Sequence, residues 1–467
     1  MDRPNLLFIF TDQQRFDTLR CYDNRYVQAP NLDKLACCSF VFENAYVTQP
    51  VCTPSRSSLM SGLWPHSNGC TANNIPLRPE TRTFAEMAPA DYARGYVGKW
   101  HLGDEVIPQH GFTHWVSIED SYRGYYSKPE YRSRFSDYHA FLMGNGITPD
   151  VRTQDAPLYS RRLAASLPVE LSKAAFVGQE TAAFIRKQRD APFMLVVNFL
   201  EPHTPNICAL ESLYDPDKIP LGPAFLKPPA HAPFSISDRY ENKIVDGRDL
   251  SCERNWRAMA VAYCGQVTLL DRAVGEILQA LEDSGAADRT IVVFTADHGD
   301  MLGDHGLLRK CVMYEEAVKA PMLLRVPWLA DSQTRVRGNF SHIDVTPTLL
   351  DLLGLPIPEE VQGLSRVATL REAQPSLDED VFIEWNSPDA PRPYGANPSR
   401  TIVSAARWKL NLHASGNHEL YDLSNDPHEM RNRIDDGGVR SRVRDMTARL
   451  RAWQAKTGDR TRITAPA

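Results

Sequence analysis

No apolar stretch in the 467-residue chain is long enough to cross a bilayer; the longest hydrophobic runs are strand-sized. Its nine cysteines include no CxxC pair and are odd in number. Most are therefore expected to be free and buried in a reducing compartment, without a disulfide framework. No block of like charges forms a tail, and a formal net charge of -6 gives no footprint for nucleic acid. An anionic substrate would depend on local Lys, Arg and His residues or on a metal. The N-terminal run Leu6 to Phe10 is too short for a signal-peptide core and leads straight into polar residues. A cytoplasmic location without membrane contact is expected. Internal repeats and low-complexity linkers are also missing, so the parts of the chain should pack tightly.

What is present is an ordinary globular composition, 42% hydrophobic and 24% charged, long enough for one large domain and a smaller one. Leu6–Phe10, Phe193–Phe199 and Thr290–Phe294 are near-continuous apolar runs, the pattern of strands buried on both faces. Lys173–Arg189 and Trp256–Ser284 space their apolar residues as helices do, and Ser284-Gly285 is a natural stop. This alternation predicts an α/β fold, a mostly parallel central sheet sandwiched by helices. Residues 204–250 are rich in proline and read as a long surface excursion. Beyond about residue 365, EDVFIEW, RTIVSAARWKLNLH and HELYDL read as strands, followed by a helix over 438–456. Residues 1–365 are thus expected to form the catalytic domain, and 366–467 a C-terminal α+β subdomain with an antiparallel sheet packed on it.

In open α/β sheets, ligands collect at the carboxyl ends of strands. Two predicted strands end there in acids: LLFIF-Thr-Asp12-Gln13 and IVVF-Thr-Ala-Asp297-His298-Gly299-Asp300. Taken alone, either aspartate is more simply a loop or helix cap. If the strands are neighbours, Asp12, Gln13, Asp297 and His298 present oxygens and one imidazole to a divalent cation.

The segment PVCTPSRSSLMSG, residues 50–62, raises a different question. Thr53 as N-cap and Pro54 at the first helical position predict a helix from Ser55. Cys52 would then lie where unpaired N–H groups favour an anion, with Arg56 within reach. That setting suits a thiolate. A cysteine phosphatase, however, needs an arginine six positions after its cysteine, and Ser58 stands there.

Cys52-Thr53-Pro54-Ser55-Arg56, with Leu59 and Gly62, resembles the C-x-P-S-R signature of the type I sulfatases in the alkaline-phosphatase superfamily. The resemblance runs along nearly the whole chain. Tyr92–Gly103, YARGYVGKWHLG, is similar to the family's second signature and places Lys99 and His101 on its functional positions; Asp91 replaces the usual glycine before it. Glu201-Pro202-His203-Thr204-Pro205 is similar to the segment whose histidine faces the leaving group. Gly303-Asp304-His305-Gly306-Leu307 and Lys310 match the loop whose lysine binds sulfate. Ser341-His342-Ile343-Asp344, Pro347-Thr348 and ELYDL-x-x-DP match structural hallmarks.

The resemblance implies that Cys52 is oxidised to formylglycine (3-oxoalanine) by a formylglycine-generating enzyme, and that its hydrate is the nucleophile. Cys52, Arg56, Lys99, His101, His203 and Lys310 become the expected catalytic residues. Asp12, Gln13, residue 52, Asp297 and His298 become the expected metal set. Asn73, or its neighbour Asn74, is a further candidate to donate to a sulfuryl oxygen.

Many relatives present Asp-Asp and Asp-Asn where this chain has Asp12-Gln13 and Asp297-His298. Ca²⁺ is the family's usual ion, and the imidazole admits Mn²⁺, Mg²⁺, Zn²⁺ or Fe²⁺. The same pattern occurs in choline sulfatases and in phosphonate monoester hydrolases. Hydrolysis of a sulfate monoester is the expected activity. Hydrolysis of a phosphonate monoester or phosphate diester is the alternative, and a non-catalytic binder of sulfated ligands a third. The partners expected are a small sulfate ester and the maturation enzyme, with neither nucleic acid nor membrane; a homo-oligomer is compatible with this reading.

Overall fold

The first strand, Asn5–Asp12, buries every one of its residues. Leu7 and Ile9 enter one hydrophobic cluster, and Leu6, Phe8 and Phe10 another, because successive side chains leave opposite faces of a strand. The strand therefore belongs to a sheet covered on both sides. The computed structural model that shows this describes all residues except 1–2, 154–155, 189–190, 233–243, 387–396, 465 and 467.

The main sheet has ten strands. Asn5–Asp12 pairs in parallel with Thr290–Ala296 on one side and Phe193–Pro202 on the other. Ala93–Gly98 and His114–Ser117 extend the parallel run past Phe193–Pro202. Beyond Thr290–Ala296 the direction reverses. Met322–Arg325 runs antiparallel to it and to Phe40–Tyr46, after which Thr334–Ser341 and Ser376–Leu377 pair in parallel. The three strands legible in the sequence are thus three central neighbours, and the shorter ones flank them.

The two expected long helices are Lys173–Lys187 and Glu253–Asp283. Val177, Phe184, Leu270, Val274 and Ile277 from these helices bury Leu7 and Ile9. Arg189, the expected end of the first, lies outside the described residues. The second stops at Ser284, followed by Gly285 at φ 69°, a left-handed turn that glycine adopts without penalty.

The C-terminal strands Val381–Trp385, Ser399–Val403, Trp408–His413 and Glu419–Asp422 form a separate antiparallel sheet. Helix Arg440–Thr457 covers one face, with Val443, Met446 and Leu450 on Leu410, Leu412 and Leu420. Ile383, Trp385 and Tyr421 on the other face pack with Tyr46 and Ala296 of the large sheet and with Met301 in the loop that follows Ala296. Ser376–Leu377 still belongs to the large sheet, so the two sheets divide between Leu377 and Val381, later than the pattern change at residue 365. Within 204–250, the described residues hold a 3-10 turn, Glu211–Leu213, and two two-residue strands. Part of that expected excursion, 233–243, lies outside the described residues, as does much of the turn between the first two C-terminal strands. All nine cysteines are free, and among the described residues no helix is long and apolar enough to cross a membrane.

Candidate active site

Asp12 ends the first strand, and Asp297 follows the end of its parallel neighbour, in which Ala296 stands opposite Thr11. Register alone brings these carboxylates to one sheet edge. Helix Cys52–Ser61 points its N-terminus at the same edge, and all ten of its residues are buried. The helix starts earlier than the sequence suggested. Val51 occupies the N-cap without a side-chain bond, and Cys52 is the first helical residue. Thr53 does not cap it: its Oγ1 donates to His101 O at 2.9 Å. Its N–H instead donates to Asn73 Oδ1 at 3.1 Å, a cap supplied from outside the helix. Pro54 then sits inside the first turn, where no intrahelical N–H bond is lost.

The side chains of Asp12, Cys52, Asp297 and His298 are all buried, and each offers a donor atom within 4.8 Å of the others. Cys52 Sγ lies 3.7 Å from Asp12 Oδ1 and 3.4 Å from His298 Nε2. His298 Nε2 in turn lies 3.4 Å from Asp297 Oδ1 and 3.8 Å from Asp12 Oδ1. Such separations are polyhedron edges for donor–metal distances of about 2.1–2.3 Å. His298 Nδ1 is 2.9 Å from Gly299 O; with the proton there, Nε2 turns its lone pair to the cluster. The residues therefore fit a divalent cation. Gln13 is placed differently. Its Nε2 donates to Asp300, its Oε1 accepts Lys310 Nζ at 2.8 Å, and only its backbone N–H reaches Asp297, at 3.0 Å.

Three cations surround this acidic centre. Arg56 donates from Nη2 to Asp12 Oδ2 at 2.8 Å and from Nε to Asp297 Oδ2 at 2.9 Å, and all three side chains are fully buried. Its Nη1 donates to Asn198 Oδ1 at 2.7 Å and to Lys99 O at 2.8 Å. Lys99 donates to Asp12 Oδ2 at 2.6 Å. Burial works against the Lys99 charge, but Asp12 outweighs it and holds the pKa above that of a free lysine. Lys310 Nζ lies 3.1 Å from Cys52 Sγ. Burial and Asp12 push the Cys52 thiol up, yet Lys310 and Lys99 prevail and bring it down to about 7.

The two histidines are held neutral. Burial, then the charges of Lys99 and Arg56, push His101 well below its usual pKa; burial, then Lys310, does the same to His203. His101 Nε2 is 2.9 Å from Asn74 Oδ1, and its ring stacks on Tyr122 at 3.8 Å. His203 Nδ1 lies 2.7 Å from Thr204 O. Asn74 therefore positions His101, while the oxygen of Asn73 is spent on the helix cap.

Backbone strain gathers here. Gln13, Asn74 and His101 have φ of 71°, 65° and 56°, each a left-handed conformation costing about 1–3 kcal/mol in a non-glycine residue. The His101 turn is held by Glu105, which accepts from Trp100 N at 2.9 Å and His101 N at 2.6 Å. Gly98, at φ 124°, is required before Lys99, because a Cβ would lie 1.9 Å from Asn198 O. Glu105 gave no sequence signal. Asn198 did: it is the one polar residue inside the apolar run MLVVNFL. A separate cavity of about 330 Å³ lies beside Arg15, lined by Tyr26, Phe225, Tyr263, Glu316 and Lys319, and none of these candidate site residues lines it.

Comparison with known proteins gives a consistent picture. The sulfatase family model matches residues 4–355, and a model described as N-sulphoglucosamine sulphohydrolase, C-terminal, matches residues 303–456. An arylsulfatase of Clostridium perfringens is 27% identical over 94% of this chain and 92% of its own. A choline-sulfatase of Rhizobium meliloti is 27% identical over 92% of this chain and 82% of its own. The solved phosphonate monoester hydrolase of Silicibacter pomeroyi shares the fold with a TM-score of 0.80, at 23% identity over 100% of both chains.

Proposed function

This chain belongs to the sulfatase family, and we propose that it hydrolyses a sulfate monoester of an aryl, carbohydrate or small alkyl alcohol through a formylglycine hydrate made from Cys52. The observation that carries this reading is the seat of Cys52: a first-turn helical residue among Asp12, Asp297 and His298, with Lys310 3.1 Å away. A buried thiol needs no such surroundings; a side chain that must meet both a cation and an anionic substrate does.

Once formed, the hydrate supplies one hydroxyl to attack sulfur and a second whose deprotonation releases sulfate as the aldehyde returns. Asp12, Asp297, His298 and residue 52 would hold the divalent ion, which would supply Lewis acidity favouring an ionised hydroxyl and offsetting sulfuryl charge. Gln13 Oε1 accepts Lys310 Nζ and keeps a second lone pair that could face the ion. An imidazole among the ligands is compatible with Mn²⁺, Zn²⁺ or Fe²⁺ as well as the family's usual Ca²⁺ and with Mg²⁺.

The chain's own groups divide the remaining work. Arg56 bridges the two aspartates and fixes their orientation. Lys99 and Lys310 bring positive charge to the sulfuryl oxygens, where it is most effective in a site shielded from water. His101, held by Asn74 and Tyr122, is the candidate to orient the hydrate or assist its collapse. His203 is the candidate acid for the leaving oxygen. As burial and Lys310 hold it neutral, it takes up a proton only when the substrate's negative charge offsets Lys310; otherwise the Lys310 ammonium provides the proton. Asn73, whose oxygen caps the helix, has its amide nitrogen left for substrate.

Hydrolysis of a phosphonate monoester or phosphate diester is the second reading, favoured by the imidazole of His298 among the ligands. Two measurements test the proposal. The mass of the tryptic peptide containing Cys52, in protein from a host that makes the maturation enzyme, should be that of the aldehyde; an intact thiol would refute the mechanism. The ratio of kcat/KM for an aryl sulfate, a phosphonate monoester and a phosphate diester then separates the two hydrolase readings.

A further inference from the structure

Arg161 is absent from every motif above, yet its guanidinium stands beside the site. Its Nη2 donates to Tyr122 Oη at 2.8 Å, and its Cζ lies 5.3 Å from the centre of the same ring that stacks on His101 at 3.8 Å. Lys99 Nζ is 5.2 Å from that ring centre. Glu119, fully buried, anchors the group: Arg161 reaches its Oε2 at 2.5 Å from Nη2 and 3.1 Å from Nε, and Lys173 pairs with its Oε1. One carboxylate thus faces two cations, leaving the trio with a net positive charge. Arg161 Nη1 makes no hydrogen bond among the described residues, and the side chain is 23% exposed. Through the Tyr122 ring, which touches Arg161 on one side and stacks on His101 on the other, the guanidinium borders the site.

The segment ahead of it continues the positive charge. Between Asp120 and Asp137 the chain carries Arg123, which lies 3.6 Å from Asp120, and then Lys128, Arg132 and Arg134 against Glu130, in a protein of net charge -6. Arg123 is buried and donates to the carbonyls of Arg132 and, at 2.8 Å, Arg134, folding the segment back on itself. Lys128, Arg132 and Arg134 are left exposed. A local positive surface on an acidic protein concentrates anions at the mouth it borders.

We propose that Arg161, framed by Tyr122 and the 121–136 segment, binds a second anionic group on the organic part of the substrate. The substrate class is then acidic or multiply sulfated sugars. The free Nη1 keeps two N–H donors, which can serve a carboxylate or a second sulfate alike, since both present several anionic acceptor oxygens. This rests on the sulfate-ester reading and deepens it: the reacting sulfate meets Lys99 and Lys310, and the second anion meets Arg161.

The test compares kcat/KM of the metal-loaded, matured enzyme on three probes: a monosulfated N-acetylhexosamine, an N,O-disulfated hexosamine and a sulfated uronic acid. The expected result is a preference for one or both doubly anionic probes. In Arg161→Gln that preference should shrink about tenfold, through KM, the effect of one charged hydrogen bond. Arg161→Lys should recover part of it. The N-sulfated and the carboxylated probe distinguish the two anions. Loss of the same factor on all three probes, or an unchanged preference, would overturn the proposal. Calorimetric binding of the same probes to Cys52→Ala protein, with and without Arg161→Gln, judges the subsite separately. If the matured enzyme turns over no sulfate, the activity reading fails, while the calorimetric difference still decides on Arg161.

Discussion

The sulfur of Cys52 lies 3.4 Å from Nε2 of His298, across 246 residues of sequence. One belongs to the first turn of a helix and the other follows a central strand, and Asp12 and Asp297 complete the group. The thiol that the proposed mechanism converts to an aldehyde hydrate therefore stands where a cation would sit.

The cluster should respond to metal removal in stability as well as in rate. An ion that binds only the folded chain raises its stability by about 2.7 kcal/mol at a hundredfold excess over Kd. Chelator treatment is expected to lower both Tm and turnover, and the ion that restores both identifies the native metal. In Asp297→Asn the Tm gain on adding that ion should shrink markedly. An unchanged gain would show that the ion binds elsewhere.

Arg56 holds two buried carboxylates at once. Arg56→Met would leave Asp297 without its guanidinium and Asp12 with Lys99 alone, which costs about 3–5 kcal/mol for a broken buried pair. Denaturant unfolding should show the midpoint falling accordingly. Lysine is not an adequate substitute, because one ammonium cannot serve Asp12, Asp297 and Asn198 together.

Asn73 is read from the structure as the cap of the Cys52 helix. Asn73→Ala should therefore lower stability by about 0.5–2 kcal/mol. Asn73→Asp, which keeps an acceptor oxygen, should restore that stability. If KM changes while stability does not, the residue acts on substrate through its amide instead.

Glu119 supplies a pH signature. Burial works against its charge, but Arg161 and Lys173 outweigh it and hold its pKa far below the ordinary 4.5. A carboxylate depressed in the folded state contributes stability that is fully present above the unfolded pKa and is lost as pH falls towards the folded one. Tm of the wild-type protein should thus fall below pH 4.5, and Glu119→Gln should flatten that part of the curve and lower Tm at neutral pH. Parallel curves for the two proteins would contradict the assignment.

The central strands were legible because they are buried on both faces, which forces a continuous apolar run. Met322–Arg325 and Ser376–Leu377 left no such mark: a strand of four residues or two carries too little pattern to separate from a loop. The Cys52 helix was legible as a helix but not in its first residues. Thr53 is a good cap by type, yet His101 O claims its hydroxyl, and a residue twenty positions on supplies the cap. The roles drawn by resemblance for Lys99, His203 and Lys310 remain proposals; what the structure adds is where each nitrogen stands.

By itself the sequence determined the sheet's centre, the family, and the residue types gathered at strand ends, because buried strands and local motifs are written in consecutive residues. Only the tertiary structure decided that Gln13 answers Lys310, that Asn74 rather than Asn73 orients His101, and that Arg161 stands beside the site. Those are matters of distance between segments remote in sequence, set by strand register and by which partner a buried polar atom finds first.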